Sequence, residues 1–388
     1  QSAGQILLFR SAAGIIARFG VNSAKADADK VIIVNCANNA NVYTDGTQAG
    51  GMLAYLVGGT EIKGCVNKGN ITSSNNKAGG IFGTSIQTTK NVCAITIDNC
   101  INYGDVCASK VVAGIAGRLG RAGQVEGMNY SINNCVNYGK LTAYTDISYT
   151  KVTLYMGGIT GYAYGGSLEP ANSVTNCVNY GEINGTHDSG GIVGHSTQAL
   201  MKIAFCENFG KVTTTSDQYA GGIIGYAWGT KQTQFSAETF DYTNIVEYNI
   251  NHADITGDLR TGGIVGSFGA SDSRGIWLCQ YNINLGNVTS IGTGGKLSGD
   301  CAGGIVGYAY GSGKVACAYI MNNLSIGNVE SKGSEGVASY ILGYISSNNA
   351  MIARNSATGS LYAPSGRTYA LGWNNKGTYT EATVGNNL

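Results

Sequence analysis

Three histidines, eleven cysteines, 23 carboxylates and 24 tyrosines are the side chains through which this chain could act on another molecule. A hydrolytic triad needs an imidazole, an acid and a hydroxyl brought to one place. His187-Asp188-Ser189 has all three, but in consecutive positions, and successive residues of an extended chain point to opposite faces. The segment reads as a loop leading into a Gly-Gly phrase, and no catalytic residue is assigned. Asp105, Lys140, Glu182, Lys211, Asp254 and Asn287 all follow the Gly, or its Ala substitute, of another recurring phrase. They alternate in sign along most of the series, which fits pairing between neighbouring repeats better than a paired-acid active site. Phosphate loops need Gly-Lys-Ser/Thr opening a helix, and neither is present. Without a Cys-x-x-Cys pair, and with His187, His195 and His252 the only imidazoles, no metal site and no cofactor is expected.

The spacing of the remaining reactive groups is periodic. Cys36, Cys65, Cys100, Cys135, Cys177 and Cys206 occupy one position of a repeat, continued by Asn249, Asn282, Asn323 and Asn355. Stacked repeats turn such a position into a column. The expected column is one of small buried thiols. Equivalent Cα atoms about 4.8 Å apart fall in the disulfide range, but parallel Cβ vectors lie farther apart than the preferred ~3.8 Å. Cys93, Cys107, Cys279, Cys301 and Cys317 lie off the column and are the candidates for cross-links on turns or insertions. A second column, Asn38, Asn67, Asn102, Asn137, Asn179, Asn208, Asn251 and Asn284, reads as an amide ladder along the axis. Tyr162, Tyr164, Tyr226, Trp228, Tyr308 and Tyr310 follow a Gly-Gly-Ile-x-Gly phrase and form a candidate aromatic contact surface.

The element that positions these groups is a two-part phrase. Asn-Cys-x-Asn-Tyr-Gly, as at Asn134 to Gly139, is followed by Gly-Gly-Ile-Val-Gly, as at Gly190 to Gly194. The Gly-Gly stations, from Gly50 to Gly303, stand roughly 30 to 45 residues apart, the spacing of stacked supersecondary units. Short β-branched runs bounded by Gly and Asn predict strands between tight turns and no helix. A unit of this kind buries its apolar face only by stacking, which predicts an all-β, right-handed parallel β-solenoid (β-helix) of ten to eleven repeats. A β-propeller is the alternative. The repeat is unbroken, so one domain is expected: 1–35 as a degenerate N-terminal repeat or cap, 36–373 as repeats, 374–388 as a tail. The longest insertions, Ala143 to Tyr155, Lys231 to Val246 and Ile291 to Asp300, are expected on one face.

Charge bounds the partners. Charged residues make up 12% of the chain and the net charge is +1. A nucleic-acid binder would carry a basic excess, and this balance favours contact between copies of the chain. There is no apolar run long enough to span a bilayer. The chain begins at Gln1, and removal of a secretory signal is the expectation. Sequons at Asn70, Asn129, Asn184, Asn287 and Asn323 are candidate N-glycosylation sites.

Asn-Cys-x-Asn-x-Gly-x-Val followed by Gly-Gly-Ile-x-Gly resembles the GLUG-type repeat of large secreted and surface proteins of bacteria and archaea, over about ten units. The resemblance implies a β-solenoid and an address outside the cell or on its surface, and supplies no catalytic residue. The composition also resembles that of the sheaths of filamentous methanogens. The expected function is that of a structural, non-enzymatic protein that self-assembles into a fibre, sheath or layer. The alternative is an adhesin module that binds cell-surface glycans.

Overall fold

The structure is a computed structural model and describes residues 11–20, 30–85, 93–120, 128–144, 154–164, 172–197, 201–216, 218–229, 244–270, 277–293, 299–311, 318–346 and 350–374. Every regular element among these is a β-strand, and the strands form five parallel sheets of ten or eleven strands each. One rung shows the plan. Ser189–Gly190 lies in sheet A, Val193–Thr197 in sheet B, Met201–Ala204 in sheet C, Glu207–Asn208 in sheet D and Val212–Thr214 in sheet E. The next rung repeats the order one strand spacing along the axis, in register. The chain is therefore a parallel β-solenoid, about 50 Å long at about 4.8 Å per rung. The degenerate phrase Ala13-Gly14-Ile15-Ile16-Ala17 supplies the first strands of sheets A and B, Ser11–Ala13 and Ile16–Phe19. Residues 1–10 and 375–388 lie outside the described residues.

Two corners explain the two halves of the phrase. Between sheets C and D, Asn35, Asn99, Asn134, Asn176, Phe205, Tyr248, Tyr281, Asn322 and Arg354 all have φ between 51° and 57°, and Gly64 has 61°. This left-handed residue turns the chain inward, so the next one, the Cys or Asn of the first column, enters the core. The second Asn of the phrase then forms a continuous ladder. Asn102 Nδ2 donates to Asn137 Oδ1 at 2.8 Å, Asn137 to Asn179 at 2.8 Å, and the series runs from Asn38 to Asn284. Each amide also donates to the carbonyl two residues on, as Asn137 does to Gly139 O at 2.9 Å.

Opposite this ladder stands the second Gly of each Gly-Gly pair. A Cβ on Gly158 would lie 2.4 Å from Asn179 Cγ and 2.1 Å from Gly191 O, and Gly80, Gly191, Gly222 and Gly263 meet Asn102, Asn208, Asn251 and Asn284 in the same way. The two phrases recur together because they touch across the interior. This contact divides the core into two apolar lobes. One lies under sheets B and C, with Ile192, Val193 and Ile203; the other lies between sheets A and E, with Met156, Ile183 and Val212.

The insertions do not share one face. Ala143 to Tyr155 and Ile291 to Asp300 connect sheet E to sheet A, whereas Lys231 to Val246 starts after Gly229, the end of a sheet-B strand, and runs into the sheet-C strand Asn244–Glu247.

Candidate functional site

Sheets A and B meet at a corner that is concave on the outside. Gly190 and Gly194 make it: a Cβ on Gly190 would sit 2.0 Å from Val193 O, and one on Gly194 2.5 Å from Met156 O in the preceding rung. Side chains on the outer faces of the two sheets are thereby brought against each other. The residue two before the Gly-Gly pair meets the one after the third Gly, seven positions on. Asp188 meets His195 in this way, Tyr155 meets Tyr162 and Tyr219 meets Tyr226.

Asp188 is the centre of this seam. It is 1% exposed, with His195 Nδ1 2.6 Å from Oδ2 and His187 Nδ1 3.0 Å from Oδ1. Burial opposes its charge, but the hydrogen bonds from His187 and His195 outweigh it and hold the carboxyl below the ordinary aspartate value. The His195 ring is 4.4 Å from Tyr155, 5.0 Å from Tyr162 and 4.8 Å from Tyr226. Burial raises the phenols of Tyr162 and Tyr226 and pushes Tyr155 up to about 12. Farther along, Arg260 Nη1 donates to Tyr219 Oη at 2.6 Å, and its guanidinium lies 4.1 Å from the Tyr308 ring centre. Trp228 leans over Gly269, where a Cβ would lie 2.3 Å from the indole, and continues to Tyr310 at 6.0 Å.

The triad does not assemble. Ser189 points to the interior, its Oγ buried against Gly185 and without a hydrogen-bond partner, while Asp188 faces the seam. Among the described residues no group of three or more His, Cys, Asp or Glu side chains is placed to hold a metal ion.

The six aromatics expected after the Gly-Gly phrase do share this seam, but Tyr164 and Tyr308 are 7% exposed, so they are packing residues; Tyr310, at 38%, is open to solvent. The more exposed aromatics lie elsewhere. Tyr103, Tyr138, Tyr180 and Phe209, the residues after the ladder Asn, stack at 4.9 to 5.0 Å beside sheet D and are 40–49% exposed. Phe205, Tyr248 and Tyr281 form a second stack on the other side of that sheet, at 5.1 and 5.0 Å. Between the stacks run half-buried Val66, Ile101, Val136, Val178, Ile250, Ile283 and Leu324, interrupted by Glu207, which pairs with His252 at 3.0 Å. Rings this close along one column stand on edge, because rings lying flat would overlap. The signal was in the phrase Asn-Tyr-Gly itself. That its Tyr faces outward follows only from the corner, where the preceding Asn points in.

The cysteine column is a column of thiols. Cys65, Cys100, Cys135, Cys177 and Cys206 are buried and free, and each Sγ donates to the carbonyl two residues before it, at 3.1 to 3.4 Å. Asn249 takes over where the thiols end, accepting the backbone N–H of Cys206 at 2.9 Å and starting an amide run through Asn282 and Asn323 to Asn355. Of the expected cross-linkers, Cys279 and Cys301 are fully buried in strands, which removes them from any surface link, and Cys107 is half-buried on sheet E. Cys93 opens the strand Cys93–Asp98, and Cys317 lies outside the described residues.

Among the sequons, Asn70 and Asn287 are exposed and Asn129 and Asn184 are half-buried. Asn323 is 2% exposed within the amide run and inaccessible to a glycan. The alternating column beside sheet E pairs Lys140 with Glu182 at 2.8 Å, but Asp105 and Asp254 instead accept the backbone N–H of Lys140 and Asn287 in the next rung.

The chain matches no protein-family profile, no curated protein and no solved structure. Among the described residues no helix is long and apolar enough to cross a membrane.

Proposed function

We propose that this chain is a structural protein that assembles with copies of itself into a cell-surface fibre, sheath or layer, with the sheet-D stripe as its lateral contact. The observation that carries this reading is the row of exposed rings and half-buried aliphatic side chains that repeats rung by rung along that sheet, broken only at Glu207, since ordered apolar patches of this size often mark contact sites. A second copy is the fitting occupant. Its own stripe has the same axial repeat, so edge-on rings of one rod interleave with those of another over many rungs, whereas an unrelated partner lacks that period. Seven rungs at about 4.8 Å and a width of about 10 Å give roughly 300 to 400 Å² per copy, a weak contact for one pair. Repetition along a polymer makes it additive. The low charge of the chain adds little repulsion. An extracellular address and a GLUG-type origin belong to the same proposal and rest on the repeat phrase. A glycan-binding surface module is the second reading, favoured by the cationic and aromatic content of the A–B seam.

The test is sedimentation and negative-stain microscopy of the purified chain beside a Tyr138→Glu/Tyr180→Glu variant. Wild type is expected to form elongated polymers and the variant to stay dispersed, with Thr213→Glu on sheet E behaving as wild type. Wild-type protein that remains monomeric at high concentration, or a variant that polymerises equally well, would overturn the reading.

A further inference from the structure

The tyrosines beside sheet D are reactive groups held at fixed spacing. In Asn-Tyr-Gly the Asn is drawn into the ladder, and the Tyr after it is left outside at the same place in each rung. Tyr103, Tyr138 and Tyr180 follow strands paired in register, and their ring centres stand 5.0 and 4.9 Å apart with planes within 5° of parallel. Tyr248 and Tyr281 repeat the arrangement on the other side of the sheet, at 5.0 Å and 7°. All five are exposed, whereas Cys65, Cys100, Cys135, Cys177 and Cys206 are buried. A one-electron oxidant that reaches the folded chain therefore meets these phenols before the thiol column.

We propose that Tyr103–Tyr138, Tyr138–Tyr180 and Tyr248–Tyr281 are sites of oxidative coupling, at which adjacent rungs of one chain become joined through dityrosine. The oxidant is a peroxide acting through a peroxidase. Each phenol gives up one electron and one proton, leaving a radical shared with the ring carbons ortho to the oxygen. Two such carbons form a carbon–carbon bond. The hydrogen on each then moves to its phenolic oxygen as the ring regains aromaticity. The two electrons and two protons reduce the peroxide, so two tyrosines and hydrogen peroxide give one dityrosine and two waters.

The column supplies what coupling in free solution lacks, a partner already in place. In the resting stack the rings stand on edge with their faces opposed. The ring torsion of tyrosine is broad and two-fold, and these rings are open to water, so they can turn. When two neighbours turn into one plane, equivalent ortho carbons face each other along the rod axis, inside ordinary van der Waals contact at this ring spacing. That approach repels two intact phenols and joins two radicals. Each link ties one rung to the next outside the amide ladder and constrains the unfolded chain as a disulfide does. It lies within one chain, so it stands apart from the contact between copies.

Two other sets of tyrosines separate spacing from access. Tyr308 and Tyr344 are register partners stacked at 5.5 Å and 2°, but both are buried. Tyr43 and Tyr362 are exposed, but their register neighbours are Thr72 and Glu330. Neither set has both requirements.

The experiment treats a dilute mixture of unlabelled and isotope-labelled full-length chains with a haem peroxidase and hydrogen peroxide, and maps the products by peptide mass spectrometry. Dityrosine fluorescence should rise. The Tyr103–Tyr138, Tyr138–Tyr180 and Tyr248–Tyr281 peptide pairs, each short of two hydrogens, should carry a single isotope, the mark of a link within one chain. Their yield should exceed that of any intrachain link at Tyr43, Tyr362 or Tyr308–Tyr344 by about tenfold or more. Tyr138→Phe should abolish the first two links and leave Tyr248–Tyr281 unchanged, and Tyr281→Phe should do the reverse. Phe fits such a column, as Phe209 does on Tyr180 at 4.9 Å, and an unchanged circular dichroism spectrum checks that each variant is folded. Absence of the three links while free tyrosine couples under the same conditions would overturn the assignment. So would links at these sites that mix isotopes, or intrachain links of equal yield at Tyr308–Tyr344, Tyr43 or Tyr362.

Discussion

Replacing Asn137 by Ala should cost this protein more than any surface change. Its side chain is fully buried and makes three hydrogen bonds: Nδ2 donates to Gly139 O at 2.9 Å and to Asn179 Oδ1 at 2.8 Å, and Oδ1 accepts from Asn102 Nδ2 at 2.8 Å. Alanine removes all three. Asn102 keeps a partner in Gly104 O, but Asn179 Oδ1 and Gly139 O lose donors inside the core. Net hydrogen bonds at about 1 kcal/mol and stranded buried acceptors at about 1–3 kcal/mol put the loss near 3–5 kcal/mol. The position is also mid-rod, so the two halves should begin to unfold separately, since repeat proteins couple only through neighbours. Urea unfolding followed by circular dichroism in the dispersed background would show a lower midpoint and a shallower transition. Asn134→Ala is the control. It is exposed with φ of 51°, so alanine there costs roughly 1–2 kcal/mol of backbone strain and no ladder contact. An Asn137→Ala loss below about 1 kcal/mol, or one equal to that of Asn134→Ala, would refute the claim that the ladder holds adjacent rungs together.

Gly158→Ala should destabilise by about 3 kcal/mol or more, because the new methyl meets Gly191 O and Asn179, whereas Gly366→Ala, at φ of 72° with nothing within 4 Å, should cost only about 1–2 kcal/mol; thermal melts of the pair decide it. Thiol labelling of the native chain, read by mass spectrometry, should reach Cys36 and Cys107 while Cys65, Cys100, Cys135, Cys177, Cys206, Cys279 and Cys301 react only on unfolding; labelling of any of these seven in folded protein would contradict their burial. Alkali should destabilise the seam. Tyr155 is raised from 10.0 to about 12, and a folded value above the unfolded one gives stability that is complete below about pH 10 and lost as pH rises through about 12, so the melting temperature should fall across that window. Tyr155→Phe should flatten the fall, and an unchanged slope would count against a buried phenol.

The inward-facing half of this molecule was legible in its sequence. The fold class, the cysteine column, its handover to Asn249 and the amide ladder all follow from aligning one phrase with itself, because in-register stacking converts sequence position directly into spatial position. Outward-facing contacts were less legible. Tyr162, Tyr226 and Tyr308 stood out by following the Gly-Gly phrase, yet their partners Tyr155, Tyr219 and Arg260 did not, since those meet them only where the glycines fold sheets A and B together on the outside. Asp188 and His195 lie seven residues apart, and the sequence reading weighed Asp188 only against its immediate neighbours His187 and Ser189. Burial of Cys279 and Cys301 was hidden for a related reason: they sit off the repeated phrase, so no column indicated their direction.

The two outer faces differ in what they can specify. Along sheet D the stripe repeats nearly unchanged from Ile101 to Leu324, so two rods pressed together there gain similar contacts in several axial registers. A repeat of this kind promotes association but fixes position weakly, as flat strands do when no side chain marks the register. The A–B seam is not repetitive. It is cationic around Lys77 and Arg118, ionic and aromatic around Asp188, His195 and Arg260, and aromatic at Tyr344 and Trp373, whose rings are 5.2 Å apart. The seam therefore gives the rod an axial direction that the stripe lacks. If the stripe joins copies, the Glu207–His252 pair is the feature best placed to set their register, because it alone interrupts the apolar row with charge. Burying that carboxylate against an apolar neighbour would cost several kcal/mol, so the favoured alignment is one that leaves the pair opposite a polar group of the second rod or in contact with water.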